Sequence, residues 1–157
     1  MDLASWFGPG QIYAAAFVVS FVSGFFPLVN TEAYLLSVSS LSSTPALPVV
    51  LLATAGQMTS KLVIYLGGRG LVRLPRGTTH AKLDRLREQL ERRRGKTDTL
   101  IFVSAFLGLP PFYAVSALAG VVQLPLWDFL LPSLVGRLLR FGVIFAFPQL
   151  ILLYSAW

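Results

Sequence analysis

The chain is 157 residues long, 55% apolar and only 13% charged, with a mean hydropathy of +0.69. Soluble domains carry about 25% charged residues, so the composition excludes an ordinary soluble domain and points to an integral membrane protein. The absence of cysteine excludes disulfides and thiolate metal sites, and a single histidine argues against a zinc enzyme.

The N-terminus, MDLASWFGPG, has no Lys or Arg ahead of the first apolar run, so no cleavable signal peptide is expected. Residues 11–26 are apolar but reach only about 24 Å, short of a ~30 Å hydrocarbon core. Pro27 and Asn30 interrupt them, and a helical pattern resumes from Glu32 to Leu41. Ser42–Pro48 is a turn, with Pro45 and Pro48 suited to a helix start. Residues 46–68 form the clearest full span, and it contains Lys61.

Residues 69–96 hold ten Lys/Arg against three acids, so the high isoelectric point belongs to one linker. In a membrane protein this is a cytoplasmic loop by the positive-inside rule rather than a nucleic-acid patch. Within it, Leu83, Leu86 and Leu90 share a face, Thr78 or Thr79 is placed to start a helix and Gly95 to end it. The pattern predicts an amphipathic helix on the inner leaflet.

Residues 98–109 are again half a span, and Pro110 and Pro111 interrupt them. Residues 112–122 form another half, Gln123–Leu126 turns the chain, and a long final segment runs from Trp127 to Trp157 past Pro132 and Pro148. Both tryptophans suit interfacial anchors.

The two halves resemble each other. Gly-x-x-Pro occurs at Gly24–Pro27 and at Gly108–Pro111, each time followed by a short apolar helix, a proline-containing turn and a full span. The expected fold is an all-α integral membrane domain over residues 1–157. Repeat one covers about 11–68, the basic amphipathic linker 69–97 and repeat two about 98–157. Each repeat is read as a re-entrant helical hairpin plus one transmembrane helix, which makes the repeats inverted, with Pro27, Pro110 and Pro111 at the hairpin tips. If the halves cross fully instead, the repeats are parallel. Gly24, Gly56, Gly108, Gly120 and Gly136 read as close helix-packing points.

Asn30, Glu32, Lys61, Arg137 and Arg140 fall at membrane depth. A central charge costs about 2.5–3.5 kcal/mol on insertion scales, so these groups must be paired, hydrated or used. Arg137 and Arg140 share a helix face. One glutamate against three bases leaves a cationic surplus that fits an anionic head group, since guanidinium matches phosphate bidentately. The plainer alternatives are that Lys61 and the arginines snorkel to an interface, or that Glu32 ties the halves together through Arg137 or Lys61. Asn30 is placed to bond exposed backbone at the hairpin tip. No Gly-x-Ser-x-Gly, His-Glu-x-x-His or P-loop is present, and no acidic cluster suits a metal. Neither an enzyme nor a cofactor is expected.

Four stretches, FPLVNTEAYL (26–35), GQMTSKLVIYLGGRG (56–70), LPPFYAVSALAGVVQLPLWDFLL (109–131) and VGRLLRFGVI (135–144), resemble in order and spacing the DedA superfamily, also called the VTT or SNARE-associated domain. The short YqaA-like branch is the nearest match. The resemblance implies two facing re-entrant hairpins and translocation of polyprenyl phosphates or phospholipids through a polar cavity between them. It places the family's hairpin acid on Glu32 and the late-helix bases on Arg137 and Arg140. The chain departs from the larger bacterial members at the second hairpin. Ala105–Tyr113 has no arginine where they carry Arg-Phe-x-Pro-x-x-Arg, and the usual glycine is replaced around Thr59–Ser60. With those residues goes the ground for undecaprenyl-phosphate specificity. The expected setting is the bacterial plasma membrane, with anionic membrane lipids as partners and no nucleic acid. The chain is near the minimum length for the fold, which leaves open a homo-oligomer that completes the cavity. The rival readings are a small anion transporter or ion exchanger, and a non-transporting assembly protein whose linker docks a partner.

Overall fold

The computed structural model of the chain describes residues 8–26, 30–41, 43–71 and 79–155. Among these residues all regular structure is helical, in seven helices: α1 (Pro9–Phe25), α2 (Thr31–Leu41), α3 (Ala46–Leu71), α4 (Thr79–Arg92), α5 (Arg94–Leu107), α6 (Phe112–Val121) and α7 (Leu126–Ser155). The expected all-helical class holds. Ala46–Gly70 and Leu126–Pro148 are long and apolar enough to cross a membrane. Leu51, Val63 and Leu66 on α3, and Leu139, Val143 and Phe147 on α7, are exposed. That apolar exterior fits lipid better than water.

The chain forms two compact units, Met1–Ser60 with Arg137–Trp157, and Lys61–Gly136. Their boundaries fall inside the two long helices, so the units are not the sequence repeats 11–68 and 98–157.

In the first unit α1 and α2 pack against each other. The core gathers Ile12 and Ala16 of α1, Leu35 and Val38 of α2, and Phe141 and Phe145 of α7, closed by Val49, Val50 and Ala53 of α3. Buried polar groups need partners, and here they join helices. Tyr34 Oη donates to the Ile12 carbonyl at 2.7 Å, and Ser39 Oγ donates to the Phe145 carbonyl at 2.6 Å. Gly56 lets α3 approach α1 closely: a Cβ there would lie 2.3 Å from the Phe17 carbonyl oxygen.

In the second unit α5 packs on both α4 and α6. Tyr65 of α3 stacks on Phe129 of α7 with centroids 5.2 Å apart, and Phe112 of α6 lies against the same ring at 6.2 Å. Tyr65 Oη donates to the Leu124 carbonyl at 2.5 Å and accepts from Arg69 Nη1 at 3.1 Å. This bond reaches the turn before α7, where Gln123 has a positive φ of 57°. Gly136 of α7 repeats the role of Gly56, with a Cβ falling 2.9 Å from the Phe102 carbonyl of α5.

The likeness of the two sets of contacts is specific. Gly56 rests on Phe17 and Phe21, and Gly136 on Phe102 and Phe106. Both phenylalanine pairs are stacked one turn apart, with interplanar angles of 7° and 4°.

One expectation needs correction. Gly95 does not end the amphipathic helix: α4 stops at Arg92, and Gly95 lies in the first turn of α5. The reason is an elbow at Arg93, where Thr97 Oγ1 donates to the Leu90 carbonyl at 3.0 Å and so fastens α5 back onto α4. Gly108 caps α5 in the left-handed conformation, φ 81°, which favours glycine. Pro27, Ser42, Thr78 and Trp157 lie outside the described residues.

Candidate functional site

The site in the first unit starts at a helix cap. Asn30 Oδ1 accepts from the backbone N–H of Glu32 at 2.9 Å and of Ala33 at 3.3 Å. This satisfies donors that the first turn of α2 leaves without intrahelical partners. Asn30 therefore has a local backbone role, and it fixes where Glu32 leaves the helix. A carboxylate in the first turn is also favoured by the helix dipole.

Glu32 Oε1 accepts from Arg140 Nε at 2.8 Å and from Arg140 Nη2. The side chains of Arg140 and Glu32 are 20% and 36% exposed, so the pair lies at the edge of the unit rather than sealed inside it. Arg137, one turn earlier on α7, is buried, with its guanidinium 5.9 Å from the ring centroid of Phe141. Among the described residues the first unit thus sets two guanidinium groups against one carboxylate.

A run of neutral polar groups accompanies these charges. Gln57 is buried on α3, and its Nε2 donates to Ser23 Oγ at 3.3 Å and to Thr31 Oγ1 at 3.4 Å. Ser60 Oγ donates to the Gln57 carbonyl at 2.7 Å. Ser20 Oγ and Gln57 Oε1 are buried without a hydrogen-bond partner among the described residues. Gly24 leaves room for this polar packing, since a Cβ on it would fall 1.6 Å from Ser60 Oγ.

Lys61 belongs to the second unit. It is 4% exposed, and its Nζ lies 5.9 Å from the Phe112 ring centroid, a cation–π arrangement. Pro110 and Pro111 form the exposed link between α5 and α6, with Pro111 at the N-cap of α6. The Leu109–Pro110 peptide is cis, and the Pro110 carbonyl accepts from Ser104 Oγ at 2.6 Å. Among the described residues no group of three or more His, Cys, Asp or Glu is placed to hold a metal.

The family model of the VTT domain, the domain of the DedA family, matches residues 8–149. The chain belongs to the VTT domain family. That family is membrane-associated, in keeping with the two long apolar helices. No curated protein and no solved structure matches the chain.

In this VTT domain the residues that sequence reasoning missed are the neutral ones: Ser20, Ser23, Thr31, Gln57 and Ser60. A signal for them existed. Gln57 and Ser60 follow Gly56 by one and four positions, as Arg137 and Arg140 follow Gly136. Ser20, Ser23 and Gly24 are spaced to share one helix face. The VTT domain also uses one device in both units: a cation from a long helix meets the first turn of a short one. In the first unit Arg140 meets Glu32 of α2, and in the second Lys61 meets Phe112 of α6.

Proposed function

We propose that this VTT domain moves phosphate-bearing lipids, phospholipid or polyprenyl phosphate, between membrane leaflets. The observation that carries the reading is the ion pair of Glu32 and Arg140, with the buried Arg137 one turn away. Charges at membrane depth are by default functional, and here the cations outnumber the acid. An incoming phosphate takes the place of the Glu32 carboxylate on Arg140, exchanging one anion for another, and Arg137 adds a second guanidinium. Beyond them Thr31, Ser23, Gln57 and Ser60 offer neutral donors and acceptors, which lowers the cost of carrying a polar head group past hydrocarbon. The acyl chains stay outside, against the apolar faces of α3 and α7. No residue set for bond-breaking chemistry enters this scheme, and the reading needs neither enzyme activity nor a cofactor.

The topology that suits this transport is a pair of re-entrant hairpins, α1–α2 and α5–α6, in inverted repeats. Its support is length. These helices have 17, 11, 14 and 10 residues, about 25, 16, 21 and 15 Å at 1.5 Å per residue, all short of a ~30 Å core. The recurring glycine-on-phenylalanine contacts support the internal repeat. We place the domain in a bacterial plasma membrane with the basic linker cytoplasmic, and nearest the short YqaA-like branch by the order and spacing of its motifs. A second copy of the chain would complete the path.

The test is leaflet exchange of a fluorescent phospholipid in liposomes holding the purified chain. Glu32→Ala and Arg140→Ala should each abolish exchange while the protein still elutes as a folded species. Unchanged exchange in both overturns the reading. Uptake of a radiolabelled inorganic anion with no lipid exchange would replace it with an anion transporter.

A further inference from the structure

The elbow between α4 and α5 encloses a groove of about 570 Å³ that plays no part in the lipid path above. That volume lies within the range of small-ligand sites. Leu86, Leu90 and Leu100 give it an apolar floor, and Arg92, Arg93 and Lys96 stand around it. Leu86 and Leu100 are 38% and 48% exposed, so apolar surface is open beside the cations. The cations are not equivalent. Arg92 is held by Glu88 at 2.8 Å, and Arg87, away from the groove, is held by Glu91 at 2.8 Å. Arg93 and Lys96 take part in no ion pair among the described residues. The elbow itself is fixed, because Thr97 Oγ1 ties α5 to the last turn of α4, and Arg94, at the start of α5, is anchored to Asp128 at the start of α7.

We propose that this elbow is a binding site for one anionic phospholipid, separate from the Glu32–Arg140 site. Two uncompensated cations match a phosphodiester head group, and the leucines beside them match the first methylenes of its chains. A free phosphate would leave those leucines in water. A zwitterionic lipid would bring its own cation against Arg93 and Lys96. From Leu100 onward α5 turns apolar, so a membrane-embedded chain carries this groove at the level of the head groups. The site rests on the membrane setting of the family and not on lipid translocation. It holds the elbow, and through Arg94 and Asp128 the start of α7, to an anionic leaflet.

The test uses the full chain in nanodiscs of phosphatidylcholine with increasing phosphatidylglycerol, reading lipid retained after gentle release by native mass spectrometry. The expected result is one retained phosphatidylglycerol per chain, in preference to phosphatidylcholine. With each juxtamembrane cation contributing about fivefold, Arg93→Gln with Lys96→Gln should weaken retention about 25-fold. The charge-preserving pair Arg93→Lys with Lys96→Arg should retain the lipid, and so should Arg87→Gln. Retention is read without leaflet exchange, so its outcome stands apart from the translocation reading. Equal retention of the two lipids, no loss in the Arg93/Lys96 double variant, an equal loss in Arg87→Gln, or displacement by millimolar inorganic phosphate would each overturn the proposal.

Discussion

Arg140 and Glu32 meet across 108 residues of sequence, with Arg140 Nε 2.8 Å from Glu32 Oε1. No local rule brings them together. Asn30 sets the first turn of α2, Gly56 and the Ser39 hydroxyl set how α1, α2, α3 and α7 pack, and the two charges arrive as a consequence. The contact that the proposed transport needs is therefore also a fold contact, and the two roles are separable by measurement.

Removing one partner leaves the other charge without its counter-ion. A fully buried pair loses about 3–5 kcal/mol this way. Glu32 is about a third exposed, so solvent relieves part of that penalty and a loss of about 1–2 kcal/mol is expected for Glu32→Ala or Arg140→Ala. The reversed pair, Glu32→Arg with Arg140→Glu, should recover a good part of the stability. Melting of the parent, the two alanine variants and the Glu32→Ala/Arg140→Ala double variant in detergent, read as a double-mutant cycle, measures the coupling. A reversed pair no more stable than the singles would show that the contact contributes nothing to the fold.

The cap at Asn30 should matter to stability on its own. Asn30→Ala removes the acceptor for two backbone donors, and loss of such a cap costs about 1 kcal/mol. Asn30→Asp keeps an acceptor at that position and should stay close to the parent. Thermal melts in detergent separate the two. Equal melting of Ala and Asp variants would mean that the carbonyl oxygen is not what starts α2.

The helical class and most helix positions were legible because they depend on periodicity, proline placement and apolar length. Residues 32–41 and 112–122 were expected as short helices, and α2 and α6 cover nearly those spans. The elbow at Arg93 was not legible. Gly95 resembles a C-cap in sequence, but the hydrogen bond from the Thr97 hydroxyl to the Leu90 carbonyl decides where the helix turns. Charges stand out against hydrocarbon, so Glu32, Lys61, Arg137 and Arg140 are picked out in the sequence by type alone. Serine, threonine and glutamine raise no such contrast. Ser20, Thr31 and Gln57 are set apart by their burial, and the half-buried Ser23 by the hydrogen bond it accepts from Gln57. The partner of Glu32 was narrowed to a few bases by composition and chosen by packing.

The glycine contacts predict a graded response. Gly56→Ala drives a methyl to 2.3 Å from the Phe17 carbonyl, which is backbone and has little freedom to move. Overpacking of this kind costs about 1–3 kcal/mol. Gly136→Ala meets the Phe102 carbonyl and the Ala105 methyl at 2.9 Å and should cost less. Gly142→Ala meets nothing within 4 Å and should be neutral or slightly stabilising, since alanine is the better helix former. Melting temperatures in one detergent should therefore fall in the order Gly142→Ala, Gly136→Ala, Gly56→Ala. A Gly56→Ala protein as stable as Gly142→Ala would contradict the close approach of α1 and α3.

Gln57→Leu separates a polar path from a polar core. The hydrogen bonds that Gln57 makes to Ser23 and Thr31 are long, 3.3 and 3.4 Å, and its Oε1 is buried without a partner among the described residues. Leucine of similar bulk removes that unsatisfied oxygen, while Ser23 and Thr31 each lose one weak bond. Removing the amide strands the buried Thr31 hydroxyl while it also removes the unsatisfied Oε1, and these two effects offset, so stability should change by less than about 1 kcal/mol. Transport should respond differently. A head group passing this face would lose the amide and meet a hydrocarbon side chain among Ser20, Ser23 and Thr31, and the barrier would rise by about the 1–3 kcal/mol of an unmet polar group. Leaflet exchange in liposomes should then slow by about 5- to 150-fold at unchanged melting temperature. Exchange at the parent rate in a Gln57→Leu protein would mean that lipid head groups travel elsewhere, and that Gln57 serves only the packing of α1, α2 and α3.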